Sequence, residues 1–204
     1  MSHEAVADSE LAAIVTYLEM RAPPGGELPS SPLSLRRMEQ PTADQYRCLF
    51  RLVGAPWLWF SRLILDDKAL GAIIRDPDVE LYAVEDEHRR DAGMLELDFR
   101  QPQECELAFV GLLPELSGKG HGRWLLAEAV RRAWREGVRR VHVHTCSLDH
   151  PAALAAYRRA GFTPYKRSVE RFADPRLLGI LPPDSAPQVP LLGTVAAAAS
   201  APES

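Results

Sequence analysis

The 204-residue chain is 46% apolar and 25% charged, with a net charge of −4. That balance suits one large folded domain around a single core and gives no general reason to expect nucleic-acid binding; no apolar run reaches the roughly 18 residues of a membrane span. The acidic start "MSHEAVADSE" lacks the basic character of a secretory signal, and Cys48, Cys105 and Cys146 are odd in number without CxxC spacing, so a cytoplasmic protein with reduced thiols is expected.

The first element, "AAIVTYLEMR", is expected to be a strand, and "APPGGELPSSP" a loop on its proline and glycine content. "PTADQYRCLFRLVG" reads as a helix with Thr42 near its N-cap and Gly54 near its end. The helical pattern continues through "APWLWFSRLILDDKALGAIIRDP" and stops at Pro77. Then the period changes. "VELYAVED", "DAGMLELDFR" and "ECELAFVGLLP" alternate apolar with polar residues between charged turns, as an antiparallel meander does.

"LLPELSGKGHGRWLL" leads into a helix whose apolar stripe includes Leu125, Leu126, Ala129, Val130, Ala133 and Trp134, with Gly137 as its expected stop. "RRVHVHTC" is a strand, "HPAALAAYRRAG" a short helix with Pro151 in its first turn, and "FTPYKRSVERF" a last strand. Residues 1–180 are expected to form one domain, with an N-terminal strand and helices at 11–78 and a core at 79–180. The Pro/Ala/Ser-rich residues 181–204 are expected to be a disordered tail. The strand Glu104–Pro114, the helix after it and the strand Arg139–Cys146 make a crossover, so those two strands are parallel neighbours in a mixed sheet.

The glycine loop fits neither common nucleotide fingerprint. A Walker loop needs GxxxxGK[ST], but Gly111 and Gly118 are separated by six residues and Lys119 is followed by Gly120. A dinucleotide fingerprint needs GxGxxG and an acid about 20 residues on; here the loop is GxGxG and "GVRRVHV" follows. What remains is a tight turn at a helix N-terminus, where unsatisfied N–H groups and the helix dipole favour a diphosphate. Glycines that merely permit a turn are the plainer alternative.

The surrounding residues resemble the GNAT superfamily of acyl-CoA-dependent N-acyltransferases. Leu112-Leu113-Pro114 and Ser117-Gly118-Lys119-Gly120-His121-Gly122 stand where the family has V-x-P and [QR]-x-x-G-x-[GA]. "AAYRRAGF" matches A-x-x-x-Y-x-x-x-G-F through Ala153, Tyr157, Gly161 and Phe162. The likeness spans about Val79 to Phe172. Two positions depart from it: Ser117 replaces an Arg or Gln, and His150 stands where an Asn is frequent.

The resemblance implies an α/β fold with a mostly antiparallel mixed sheet, a splayed parallel strand pair and helices on both faces. It implies acetyl-CoA as cosubstrate, held at Gly111, Leu112 and Leu113 and along Ser117, Gly118, Lys119, Gly120, His121, Gly122 and Arg123. The expected reaction is acetyl transfer to a primary amine of a small molecule or peptide by direct attack. A non-catalytic acyl-CoA-binding or sensing module is the second reading.

By the same resemblance Tyr157 is the candidate acid for the leaving thiolate. Its structural alternative is a core side chain beside Leu154. Glu106, placed with Ala108, Val110 and Leu112 on one alternating strand face, is the first candidate base. Asp149 and His150 are the second, or else caps of the following helix. No metal is expected, since His142, His144 and Cys146 alternate along a strand without a zinc spacing or a neighbouring acid. Cys146 has no evident base to make it an acyl carrier. The rings of "PWLWF" are candidates for an acceptor pocket, with core packing expected for at least two of them. Neither a nucleic acid nor a membrane is an expected partner; many relatives are dimers, so a homodimer is one expected assembly.

Overall fold

Runs of alternating side chains form a seven-stranded sheet at the centre of the fold. The computed structural model describes residues 3–194. In chain order the elements are β1 (Glu10–Met20), β2 (Ser34–Arg37), α1 (Ala43–Gly54), α2 (Asp67–Ile74), β3 (Val79–Glu85), β4 (Asp91–Asp98), β5 (Glu104–Leu112), α3 (His121–Ala133), β6 (Arg140–Cys146), α4 (Ala153–Arg159) and β7 (Thr163–Ala173). The sheet order is β2-β3-β4-β5-β6-β1-β7. Every neighbouring pair is antiparallel except β5 and β6, which are parallel. The first strand therefore lies far from the second, inserted between β6 and β7.

Helices cover both faces of the sheet. On one, α3 sets Leu125, Ala129 and Val130 against Leu97, Leu107 and Val141. On the other, α1 and α2 bury Phe50, Val53 and Leu70 against Leu81 and Met94. Thr42 and Gln45 form a reciprocal capping box at the start of α1. The helix does not continue past Gly54 as expected. Pro56 lacks the N–H that another helical turn needs, and the chain makes one 3-10 turn, Ala55–Trp57, before Leu58 turns left-handed at φ 57°. A new helix begins only at α2, behind its cap Asp66. Likewise α3 stops at Ala133, short of Gly137.

The expected tail differs most. Leu181 and Ala186 are buried against Leu58, and the buried Arg176 organises the segment around itself. Its guanidinium donates to Asp174 at 2.7 Å and to the carbonyls of Ser185 (3.3 Å), Val189 (2.7 Å) and Pro190 (3.4 Å). Gln188 reaches back to the Pro56 carbonyl at 2.8 Å. Composition suggested disorder through residue 194, but one buried cation satisfied by fixed acceptors holds this stretch down. Residues 195–204 of the expected tail lie outside the described residues.

Candidate active site

The parallel strands that frame the site touch for only three rungs. Glu104 pairs with Arg140, Cys105 with Val141 and Glu106 with His142; beyond them β5 and β6 separate. On its other side β5 stays paired with β4 as far as Leu112. The edge of β5 that faces β6 thus has no strand partner after Glu106 among the described residues. A cleft of ≈ 1260 Å³ opens there, walled by both strands, α3, α4, the Trp57–Ser61 turn and the Pro23–Pro29 loop.

One extra residue redirects the β5 side chains. Glu96 faces Phe109 while its neighbour Leu97 faces Leu107, so Ala108 is a bulge. The bulge reverses the alternation. Leu107, Val110 and Leu112 pack towards α3, whereas Phe109 packs under α1. Glu106 consequently does not share a face with Val110 and Leu112, as uninterrupted alternation predicts; it shares one with Phe109. Gly111 also lies on that side, where a Cβ would meet Val53 at 2.7 Å and Trp59 at 3.1 Å.

At the α3 end the loop has the character of an anion cradle. Gly118 and Gly120 take φ of +75° and +87°, and a Cβ on Gly118, Gly120 or Gly122 would meet nothing within 4 Å. Among the described residues the N–H groups of Gly118, Lys119, Gly120, His121 and Gly122 find no acceptor, because the first internal bonds of α3 start with Arg123 and Trp124 donating to the Gly120 carbonyl. Ser117, Gly118, Gly120, Gly122 and Arg123 line the cleft, as do Gly111 and Leu112. Leu113, Lys119 and His121 do not; His121 Nδ1 instead lies 3.1 Å from the Ser31 hydroxyl, pinning the loop after β1 to the cradle.

The expected catalytic residues divide. Tyr157 lines the cleft, and its hydroxyl has no hydrogen-bond partner among the described residues. Burial, and then the charge of Asp149, raise its pKa above the usual phenol value. Asp149 lines the cleft too, but its carboxylate is occupied: it accepts from the Thr145 hydroxyl and the Cys146 N–H at 2.8 Å each and from Trp59 Nε1 at 3.2 Å. His150 Nδ1 accepts from the Ala152 N–H at 3.1 Å, a capping contact, and its ring meets Trp57 edge-on at 5.1 Å.

Glu106 is not in the cleft wall. Its carboxylate meets His144 Nδ1 at 3.2 Å, and that hydrogen bond holds its pKa below the ordinary carboxylate value despite opposing burial. A lowered pKa makes a weaker proton acceptor. His144 does line the cleft. Sequence reasoning weighed it only as a metal ligand lacking a neighbouring acid. The parallel register supplies one to each histidine, with Glu104 Oε2 lying 3.6 Å from His142 Nε2. No group of three or more His, Cys, Asp or Glu suited to a metal occurs among the described residues. Burial, then Asp149, push the Cys146 thiol up to about 11, so it stays protonated near neutrality.

The three "PWLWF" rings are half-buried and line the cleft, and Trp59 and Phe60 also pack against the neighbouring core clusters. Trp59 packs on Phe109 at 5.2 Å while bonding Asp149, so it ties the α1 side to the loop after β6. Phe60 sits 5.1 Å from Phe172 of β7.

The acetyltransferase (GNAT) family model matches residues 40–162, more than half of the chain, including β5, α3, β6 and α4 around the cleft. The chain belongs to the GNAT acetyltransferase family. Solved structures agree on the fold. A GCN5-related N-acetyltransferase from Sphaerobacter thermophilus superposes with TM-score 0.58 at 18% identity, over 79% of this chain and 51% of that one. A GCN5-related N-acetyltransferase from Kribbella flavida gives 0.53 at 18% identity, over 78% and 57%. An aminoglycoside acetyltransferase from an uncultured soil metagenomic sample, in complex with sisomicin, gives 0.54 at 17% identity, over 68% and 93%. This GNAT chain therefore spans only about half the length of the Sphaerobacter protein. Among curated proteins no sequence matches it.

GNAT acetyltransferases draw on acyl-CoA, and the residues present fit such a group. Free N–H groups and open space at the glycine turn suit a diphosphate, and the unpaired β5 edge suits an extended, amide-bearing chain.

Proposed function

We propose that the protein transfers an acetyl group from acetyl-CoA to the primary amine of an acceptor by direct attack. The observation that carries this reading is the cleft itself. It joins a five-residue run of free N–H groups at the start of α3 to an opened strand pair, with an unpartnered Tyr157 hydroxyl on its wall. When bound, acetyl-CoA supplies an acyl carbon activated as a thioester.

The chain's own residues then have separate tasks. The N–H groups of Gly118 to Gly122 hold the diphosphate, with Arg123 adding charge at the cleft wall. The free backbone edge of β5 receives the pantetheine arm, and an N–H on it stabilises charge that develops on the carbonyl oxygen. Tyr157 remains protonated across the neutral range and offers its proton to the departing sulfur. Trp57, Trp59 and Phe60 give the acceptor side an aromatic wall, and the bond from Trp59 Nε1 to the Asp149 carboxylate keeps it in place.

The direct test has two parts. Acetyl-CoA binding is measured by calorimetry, and release of free CoA is followed across a broad panel of primary amines. Binding together with amine-dependent CoA release is the expected result. Binding with no release from any amine would make the protein an acyl-CoA-binding module instead.

A further inference from the structure

We infer that His144 is the group that takes the proton from the attacking amine, with Glu106 as the residue that positions it. The inference rests on the acetyl-transfer reading and deepens it. Its first support is place. β5 and β6 part immediately after the Glu106–His142 rung, and His144 is the next β6 residue on that face. It therefore stands at the fork of the two strands, on the side of the sheet that carries Phe109 and the aromatic wall. Its side chain is 49% exposed, against 32% for Glu106. The imidazole faces the cleft and the carboxylate stands behind it.

The second support is tautomer. The Glu106 carboxylate lies 3.2 Å from Nδ1, so the neutral ring carries its hydrogen there and presents a bare Nε2. The other charged or titratable groups around the ring are few. Tyr17 of β1 lies at 5.9 Å between ring centroids, and Lys166 Nζ of β7 sits over that tyrosine ring at 4.7 Å. Asp149 and Glu170 act on His144 at longer range, and His142 flanks it on β6. Glu106 is the only carboxylate within ion-pair distance of the ring among the described residues.

The proton balance is complete within the site. The amine nitrogen forms its bond to the acyl carbon and gives one proton to His144 Nε2. The C–S bond breaks, its electron pair leaves on sulfur, and Tyr157 supplies the proton that makes the thiol. Solvent returns the proton from the imidazolium to the phenolate. An amide and free CoA are the products, and both side chains end as they began.

The pH dependence has a fixed sign. The Glu106 hydrogen bond raises the His144 pKa above 6.5, against an opposing effect of burial. Only the neutral ring accepts a proton, so turnover rises with pH through that raised value. Stability runs the other way: the Glu106–His144 pairing contributes fully between pH 4.5 and 6.5, fades as pH climbs through the raised imidazole value, and is lost at low pH once Glu106 is protonated.

The experiment compares wild type, H144Q and E106Q in amine-dependent CoA release from pH 5.5 to 9, with acetyl-CoA affinity and thermal midpoint measured beside it. H144Q should lose about 10²-fold in kcat and its acidic limb, while still binding acetyl-CoA. E106Q should lower kcat by less than H144Q does, because the ring loses its tautomer anchor but not its basic nitrogen, and should shift the acidic limb to lower pH. Ring-nitrogen NMR of the wild type should show an Nδ1-protonated neutral ring whose pKa falls in E106Q, a readout independent of turnover. If H144Q turns over at the wild-type rate, or E106Q leaves limb and NMR pKa unmoved, the inference fails and acetyl transfer stands. If acetyl-CoA binds and no amine is acetylated by wild type, the enzyme reading fails and takes the inference with it.

Discussion

Two carboxylates on one face of the sheet, Glu96 of β4 and Glu106 of β5, are treated in opposite ways. Glu96 has no exposed surface at all; it accepts from the Tyr46 hydroxyl at 2.5 Å and from Arg62 at 2.6 Å under α1. Glu106 is a third exposed and meets a single imidazole at 3.2 Å. The first is sealed by groups that do not change charge near neutrality. Burial and the Glu96 charge keep the Tyr46 phenol far above its normal pKa, and burial lowers the Arg62 value but is outweighed by Glu96 and Tyr46 together. The second is coupled to the one side chain that does change charge there. The sealed cluster fixes α1 to the sheet, and the wet one leaves a titrating group at a cleft.

The sharpest way to break that contrast is Glu96→Ala. It strands the Arg62 guanidinium without its carboxylate, and Arg62 Nε already lacks a partner among the described residues. The expected loss is about 3–5 kcal/mol of unfolding free energy, read by urea denaturation. An exposed pair such as Glu106–His144 contributes at most about 1 kcal/mol, so E106Q should unfold nearly as wild type does. Equal losses in the two variants would erase the distinction.

Tyr157→Phe tests the cleft on its other wall. It should lower kcat by about 10²-fold, with acetyl-CoA affinity and thermal midpoint nearly unchanged because the hydroxyl bonds nothing in the described structure. Smaller still is the effect expected of Gly122→Ala. The added methyl points into open space at the start of α3, so the fold should gain stability, by up to about 1 kcal/mol. Acetyl-CoA affinity should nevertheless fall about tenfold, the equivalent of one charge-assisted hydrogen bond. A stabilised variant with unaltered affinity would remove the glycine turn from the donor site.

Much of this division was legible in the sequence, for physical reasons. Short alternating runs fixed the meander, and the crossover fixed the parallel pair, because both patterns are local. The tight glycine turn at the start of α3 followed from glycine spacing. The Ala108 bulge was not legible: a one-residue slip leaves composition and periodicity almost intact but turns Val110 and Leu112 to the opposite face. Nor was the anchoring of residues 181–194, which depends on one arginine finding carbonyls far along the chain. The histidine–carboxylate pairs needed the β5–β6 register, since Glu106 and His144 lie on different strands joined by a helix.

The smallest predicted effect carries the final discrimination, because His142 and His144 differ by two residues on one strand. His142 belongs to the last paired rung, outside the cleft wall, and burial lowers its pKa. Its neighbour Glu104 keeps a closer partner in Arg140 at 2.9 Å. His142→Gln should therefore change stability by no more than about 0.5 kcal/mol, the range of substitutions away from a functional feature. Its kcat should stay within about twofold of wild type, and the acidic limb should hold its position. A rate loss matching that of H144Q would mean that the proton leaves through both rings. The fork between β5 and β6 would then be a relay rather than the seat of a single base.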